Sequence, residues 1–268
     1  MPEGHVIHNL ASDLVDLFSG HRLSSSTPQG RFTGAHLLDG DALESADAWG
    51  KHLFIGFAST DARVHIHLGI YGTMRLLTGE PEVVGQVRWR ITDGVNTADL
   101  RGPNTCALLD PPEVAAVIDR LGPDPLRADA DPQRFIDRVL RSRSTVATLL
   151  MDQSVIAGTG NIFRAEVLFR LGIDPLTPGK SLGRERAEAI WHDTVELMEI
   201  GRRRGRIDTV RPEHEPEAMG RPPREDDHGG EVYVYRRQNQ PCWICGSPIL
   251  TTTIAGRNLF WCPVCQAA

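Results

Sequence analysis

Between His5 and Phe18 the apolar residues Val6, Ile7, Leu10, Leu14, Leu17 and Phe18 return at steps of three and four, and Gly20 follows. That period predicts an amphipathic helix with one buried face. From Arg22 to about Leu109 the pattern changes to short runs bounded by Gly, Pro or Asp, among them His52–Ala58, Arg63–Leu68, Thr73–Leu77 and Gln86–Thr92, which read as strands of a sheet. Pro111 and Pro112, a short helix to Leu121, and Gly122-Pro123-Asp124-Pro125 mark a boundary. Beyond it the helical period returns in Pro132–Leu140, Thr145–Gln153, Asn161–Leu171 and Gly183–Gly201. Residues 205–230 hold four prolines, many charges and little apolar content, and read as a long loop; from Glu231 onward two short hairpins are expected. No internal repeat is present.

The 268 residues are enough for about two domains of ~150 residues. A content of 40% hydrophobic and 24% charged residues is that of a globular protein and excludes disorder or a fibrous fold for the chain as a whole. No apolar run approaches the ~18 residues that span a bilayer, and Met1 to Leu10 lacks the cationic-then-apolar order of a signal peptide. A soluble, cytoplasmic protein without membrane contact is expected.

Twenty-nine Lys and Arg stand against 35 Asp and Glu, a net of −6 that taken alone argues against an anionic partner. The distribution reverses that reading. Arginines cluster at Arg134, Arg138, Arg141 and Arg143, at Arg202, Arg203, Arg204 and Arg206, and at Arg236 and Arg237. Any one cluster is ordinarily a solvated face, but three together fit a surface that follows a nucleic-acid backbone. Only two lysines occur, Lys51 and Lys180, beside 27 arginines. A retained lysine stands out here, because its amine, unlike a guanidinium, can be tuned to lose a proton near neutral pH.

Of five cysteines, four read C-x2-C-x16-C-x2-C at Cys242, Cys245, Cys262 and Cys265, a spacing that suits one tetrahedral zinc ion. Disulfide pairing is the alternative, disfavoured in a reducing compartment, and iron fits the same ligands. Cys106 has no partner and is expected to fill core volume. At the amino end, removal of Met1 would leave Pro2 as a free secondary amine with a pKa near ~8, a ready nucleophile beside lysine's ~10.4. A secondary amine condensed with an aldehyde carbon gives an iminium that keeps its charge and favours elimination at the neighbouring carbon, with Glu3 placed to shuttle protons. Many chains begin Met-Pro, so the dipeptide alone establishes nothing. Gly158-Thr159-Gly160-Asn161 opens a helix whose exposed amides suit a phosphate, and Ala255-Gly256 should turn a hairpin that presents Arg257. Each of these taken alone is as well explained by an ordinary loop or a solvated arginine.

Together, Met1-Pro2-Glu3-Gly4-His5, Gly50-Lys51-His52-Leu53-Phe54, His67-Leu68-Gly69-Ile70-Tyr71-Gly72, Gly158 to Phe163 and Gly256 to Gln266 resemble the Fpg/Nei DNA glycosylases, on the endonuclease VIII-like side. The resemblance runs from end to end. It implies an α+β multidomain fold: an amino-terminal catalytic β-sandwich with flanking helices over 1–120, a helix-two-turn-helix domain with a long polar loop over 121–232, and a zinc-ribbon finger over 233–267. It implies a monomer acting on damaged DNA, with one structural zinc and no small-molecule cofactor. Pro2 corresponds to the Schiff-base nucleophile, Glu3 to the proton donor at the sugar, Lys51 to the lysine of β-elimination, and Arg257 to the finger arginine that holds the phosphate and assists δ-elimination. Asn161 and His67 match phosphate contacts, and Ile70 falls in the loop that fills the gap left by an extruded nucleotide. Gly69 replaces a polar wedge residue, and Leu100 to Thr105 lacks the arginine and aromatic pair of purine-directed members. The expected function is therefore a bifunctional glycosylase and abasic-site lyase that removes oxidised pyrimidines. The alternatives are an 8-oxoguanine-directed enzyme and a non-catalytic damaged-DNA-binding protein.

Overall fold

The computed structural model describes residues 2–225 and 230–267; Met1, residues 226–229 of the long polar stretch and Ala268 lie outside the described residues. The chain forms two compact units, Met1–Arg120 and Leu121–Ala268.

The first unit opens with α1 (Gly4–Phe18), which buries Ile7, Leu10, Leu14 and Phe18 along the face that the sequence period marks out. Eight strands follow: β1 (Arg22–Ser26), β2 (Asp41–Trp49), β3 (His52–Phe57), β4 (Thr60–His67), β5 (Thr73–Thr78), β6 (Trp89–Thr92), β7 (Asn96–Arg101) and β8 (Thr105–Leu109). Their order is β5-β7-β6-β1-β2-β3-β4-β8. Strand β1 changes partner midway: Arg22 and Leu23 pair with β2, whereas Ser24 to Ser26 pair with β6. That switch splits the sheet into two halves sharing one core. Leu53, Ile55, Phe57, Val64 and Ile66 come from one half and Trp89, Ile91, Ala98 and Leu100 from the other. The Phe57 and Trp89 rings meet edge-on with centroids 6.3 Å apart, so the unit is a sandwich. The indole N–H of the buried Trp89 donates to Ser25 Oγ at 2.9 Å, which meets its hydrogen-bond demand. Cys106 packs half-buried against this core, and burial pushes its thiol up to about 12, the inert filler its isolation suggested. Helix α2 (Pro111–Ile118), capped by Asp110 and Glu113 in a reciprocal box, ends the unit.

In the second unit, α3 (Pro132–Arg141) starts at Asp131, whose side chain accepts the Gln133 N–H. Helix α4 (Val146–Leu149) is far shorter than the Thr145–Gln153 span its apolar period predicts. Side chains of the next residues take over the backbone donors. Asp152 Oδ1 accepts from Ser154 N at 2.9 Å and Gln153 Oε1 from Gly158 N at 3.0 Å, and this competition breaks the helix into successive turns. Helices α5 (Asn161–Arg170) and α6 (Arg184–Arg204) follow, the latter ending at left-handed Gly205. Within the long polar stretch the described residues include a 3-10 turn at Pro212–His214 and α7 (Pro216–Met219).

Val232 to Tyr235 lie where the first of the two expected hairpins would begin, but they form a buried strap instead. The carboxylate of Glu166, fully buried on α5, accepts from Tyr233 N at 2.7 Å, Val234 N at 2.9 Å and Tyr235 N at 2.8 Å, and from Thr209 Oγ1 at 2.6 Å. A side chain thus supplies the acceptors that a neighbouring strand would have offered. The chain ends in the hairpin β9 (Leu250–Ile254) and β10 (Arg257–Trp261). Ile249, Leu259 and Phe260 of this finger share one core with Phe163, Leu168 and Tyr233. Among the described residues no helix is long and apolar enough to cross a membrane.

Candidate active site and metal centre

Gly50 and Lys51 form the turn between β2 and β3, closed by the Trp49 and His52 pair. Gly50 has φ 58°, the positive value that a type II′ turn needs at its first central position, so this glycine sets Lys51 at the end of the sheet. His52 pairs with His67, and His67 with Thr105. The Lys51 turn, the 68–72 loop and the 102–104 loop therefore gather at one end. Helix α1 reaches the same end. Its far terminus is pinned where Ser19 bridges Leu43. Fifteen helical residues rise ~22 Å and the strand from Leu43 to Trp49 covers ~20 Å, so a helix packed along β2 brings Glu3 and Pro2 to the Lys51 turn. Glu3 is fully buried and Pro2 half-buried.

On the face of β3 and β4 opposite the core lie His52, Phe54, His65 and His67. His52 Nδ1 and His65 Nε2 are 2.8 Å apart, so one ring donates its N–H to the other's lone pair and the two cannot both be protonated. His65 stacks on Phe54 with centroids 5.0 Å apart, and His52 lies 4.9 Å from His67. Burial, then the neighbouring His67, His65, Arg120 and Lys51, pushes His52 down to about 3. Burial, then His67 and Arg120, takes His65 down to about 4. Burial and the Lys51 ammonium also lower His67. At neutral pH the three rings are uncharged beside Lys51.

Ile70 is 42% exposed in the 68–72 loop, and its neighbour Tyr71 is 87% exposed. Gly69 has φ 72°, and a Cβ there would lie 2.4 Å from Asn104 Oδ1. That left-handed backbone favours glycine, and a side chain here would also have to displace Asn104. Arg101 turns inward, donating to Asp99 at 3.0 Å.

In the second unit Gly160 caps α5, and Asn161 behind it is 7% exposed. Asn161 Nδ2 donates to the Asn258 carbonyl at 2.9 Å, and the buried Arg164 guanidinium donates to Asn161 Oδ1 and, at 3.0 Å, to the same carbonyl. The start of α5 is thereby tied to the residue next to Arg257. Ala255 and Gly256, with φ 50° and 71°, make the hairpin turn expected, and it is of type I′; Arg257 follows as the exposed first residue of β10. Tyr71, the His52 and His65 pair and Arg164 are the site residues that sequence reasoning did not single out. Tyr71 and His52 lie within the family-like motifs, whereas His65 and Arg164 need strand register and helix contacts to be found.

The four finger cysteines hold their Sγ atoms within 4.8 Å of one another. Cys242 Sγ and Cys265 Sγ are 3.8 Å apart and Cys245 Sγ and Cys262 Sγ 3.4 Å. A tetrahedron with Zn–S near ~2.3 Å has edges of ~3.8 Å, whereas a disulfide needs ~2.05 Å. The thiolates fit one zinc and not two disulfides. Backbone N–H groups of Ile244 and Cys265 point at Cys242 and Cys262 Sγ, at 3.5 and 3.4 Å. Four sulfur ligands would leave no position for water, so a zinc ion held there would support the hairpin and do no chemistry.

Residues 1–106 match the formamidopyrimidine-DNA glycosylase N-terminal domain, 121–211 the H2TH domain of the same enzymes, and 239–268 the zinc finger found in FPG and IleRS. The chain belongs to the Fpg/Nei family of DNA glycosylases and AP lyases. It is 48% identical over 275 residues to endonuclease 8 1 of Mycobacterium tuberculosis, covering 99% of this chain and 100% of that one. With endonuclease 8 of Escherichia coli K12 it shares 29% over 280 residues, again 99% and 100%. Among solved structures, Lactococcus lactis Fpg in complex with abasic-site DNA has the same fold, with a TM-score of 0.80 at 20% identity, over 99% of this chain and 100% of that one.

Proposed function

We propose that Pro2, freed by removal of Met1, is the nucleophile of a glycosylase and lyase directed at oxidised pyrimidines. The observation that supports this reading best is that one end of a single sandwich receives Pro2, Glu3 and the Lys51 turn, with His67 and Ile70 beside them. The Pro2 nitrogen attacks the sugar carbon bearing the damaged base, the base departs with its electron pair, and buried Glu3 gives a proton to the sugar oxygen as the ring opens. The iminium acidifies the adjacent carbon, Lys51 assists removal of that proton, and the 3′ phosphate leaves in β-elimination. Arg257, held through Asn258 to the start of α5, grips the phosphate and assists the δ step. His67 and Asn161 contact the backbone. Ile70, with Tyr71, fills the space of the extruded nucleotide, whose unstacking costs a few kcal/mol.

Pyrimidine preference rests on the endonuclease 8 relatives and on Arg101, which is turned toward Asp99. Residues 1–120 serve as catalytic domain, 121–232 and 233–267 as DNA-gripping modules, in a protein that acts as a cytoplasmic monomer. Borohydride trapping on an abasic duplex tests the mechanism: wild type should give a covalent adduct at Pro2 that Pro2→Gly loses or strongly weakens, and no adduct in wild type refutes it. Parallel incision of thymine glycol and 8-oxoguanine duplexes tests the lesion, where faster cutting of the purine overturns the pyrimidine assignment.

A further inference from the structure

Arginines of α3 take no part in the site above. Arg134, Arg138 and Arg141 stand at i, i+4 and i+7 and leave the helix on one side. That side walls a cavity of about 510 Å³, open to solvent, completed by Pro123, Asp137, Ser142 and Ser154. Ser154 belongs to the turns between α4 and α5, and Arg138 Nη2 donates to its Oγ at 3.0 Å. Arg134 is anchored more loosely on the Leu121 carbonyl, at 3.4 Å. Arg141 is 82% exposed, at 3.5 Å from Asp137. Asp137, the lone acid of the lining, is already shared with Gln133 and, at 3.8 Å, with Arg184.

Three guanidiniums thus face one engaged carboxylate, beside two hydroxyls. The lining has no aromatic ring on which a base could stack, and every residue of it except Pro123 carries a charge or a hydroxyl. What it offers is donors and positive charge, the chemistry of phosphate oxygens. Seven helical steps rise ~10.5 Å, long enough for the row to reach more than one phosphate of a DNA strand.

We infer that this face of α3 is an additional phosphodiester subsite, one that grips duplex backbone independently of sequence and of the reacting nucleotide. The inference rests on DNA being the substrate, as proposed above. It assigns the row to affinity and none of it to chemistry.

The test is Arg138→Ala/Arg141→Ala in the zinc-loaded full chain, measured by fluorescence anisotropy on an undamaged duplex across a salt series. Each lost phosphate contact removes ~0.9 from the slope of log K against log salt, so the double variant should be shallower by about 1.8 and weaker at every salt concentration below the crossing point. Single-turnover incision at saturating enzyme should match wild type. Arg138→Lys/Arg141→Lys should restore the slope. An unchanged slope in the double variant overturns the inference, as does a lysine pair that fails to restore it or a single-turnover rate that falls at saturation. Should the double variant not fold, Arg141→Ala alone, at a largely solvated position, should shift the slope by about 0.9. A wild type that forms no borohydride adduct while the slopes separate as stated would refute the catalytic assignment and leave this subsite standing.

Discussion

Replacing Glu166 with Gln should destabilise the second unit by about 3–4 kcal/mol while changing almost no volume. Two donors reach each carboxylate oxygen: Val234 N and Tyr235 N meet Oε1, and Tyr233 N and Thr209 Oγ1 meet Oε2. Glutamine keeps one carbonyl oxygen and turns the other position into an N–H₂ group, so two of the four contacts become donor against donor. Hydrogen bonds to a charged group are worth ~1.5–3 kcal/mol each, which puts the loss of two at ~3–6 kcal/mol. The Thr209 hydroxyl can rotate toward the Glu231 carbonyl, 3.3 Å away, and recover part of it. For a unit of this size each kcal/mol moves the melting midpoint by ~2–4 °C, so a drop of roughly 6–16 °C is expected in calorimetry of the zinc-loaded protein. Thr209→Val is the control, removing one donor without creating a clash, and should cost ~1–2 kcal/mol. A Glu166→Gln loss under ~1 kcal/mol, or one equal to the Thr209→Val loss, would refute the carboxylate as the acceptor that organises the strap.

Four further outcomes follow from the geometry. His5 and His65 are buried and held near about 4. The unfolded chain takes up their protons from pH 6.5 downward while the fold refuses them, so each lowers stability by up to ~2 kcal/mol between pH 6.5 and 5. Urea midpoints at pH 7, 6 and 5 should fall accordingly, and His65→Phe should flatten the fall; an equal slope in the variant would count against this. Chelating the metal should expose four reactive thiols and lower the melting temperature of the second unit, because the finger's Leu259 and Phe260 belong to that unit's core; unchanged melting after complete chelation would contradict a structural ion. Arg257→Ala should weaken duplex binding with zinc content unchanged, since the side chain is solvent-exposed, and Lys51→Ala should slow strand cleavage more than base release.

What the sequence makes legible is whatever depends on neighbours in the chain. The period of α1, the Ala255-Gly256 turn and the cysteine spacing each act within a few residues, and each appears where expected. Helix α4 overshoots because apolar period cannot weigh Asp152 and Gln153 against the backbone amides they capture. The first of the hairpins expected from Glu231 onward gives way to the strap at 232–235 because a local pattern is blind to Glu166, some seventy residues earlier, that supplies its acceptors. The tie between Asn161 and Asn258 spans 97 residues and leaves no local trace. The His52 and His65 pair emerges only once register places His52 opposite His67. At the candidate active site the residue types were readable, but the contacts that orient them were not.

The interior that Ile249, Leu259 and Phe260 share with α5 and the strap makes the finger an inseparable part of its unit. Excised or grafted onto a foreign scaffold, it would strand apolar surface on both fragments. Recombination between relatives in this half of the protein should succeed only when the strap, helix and hairpin are inherited as one block.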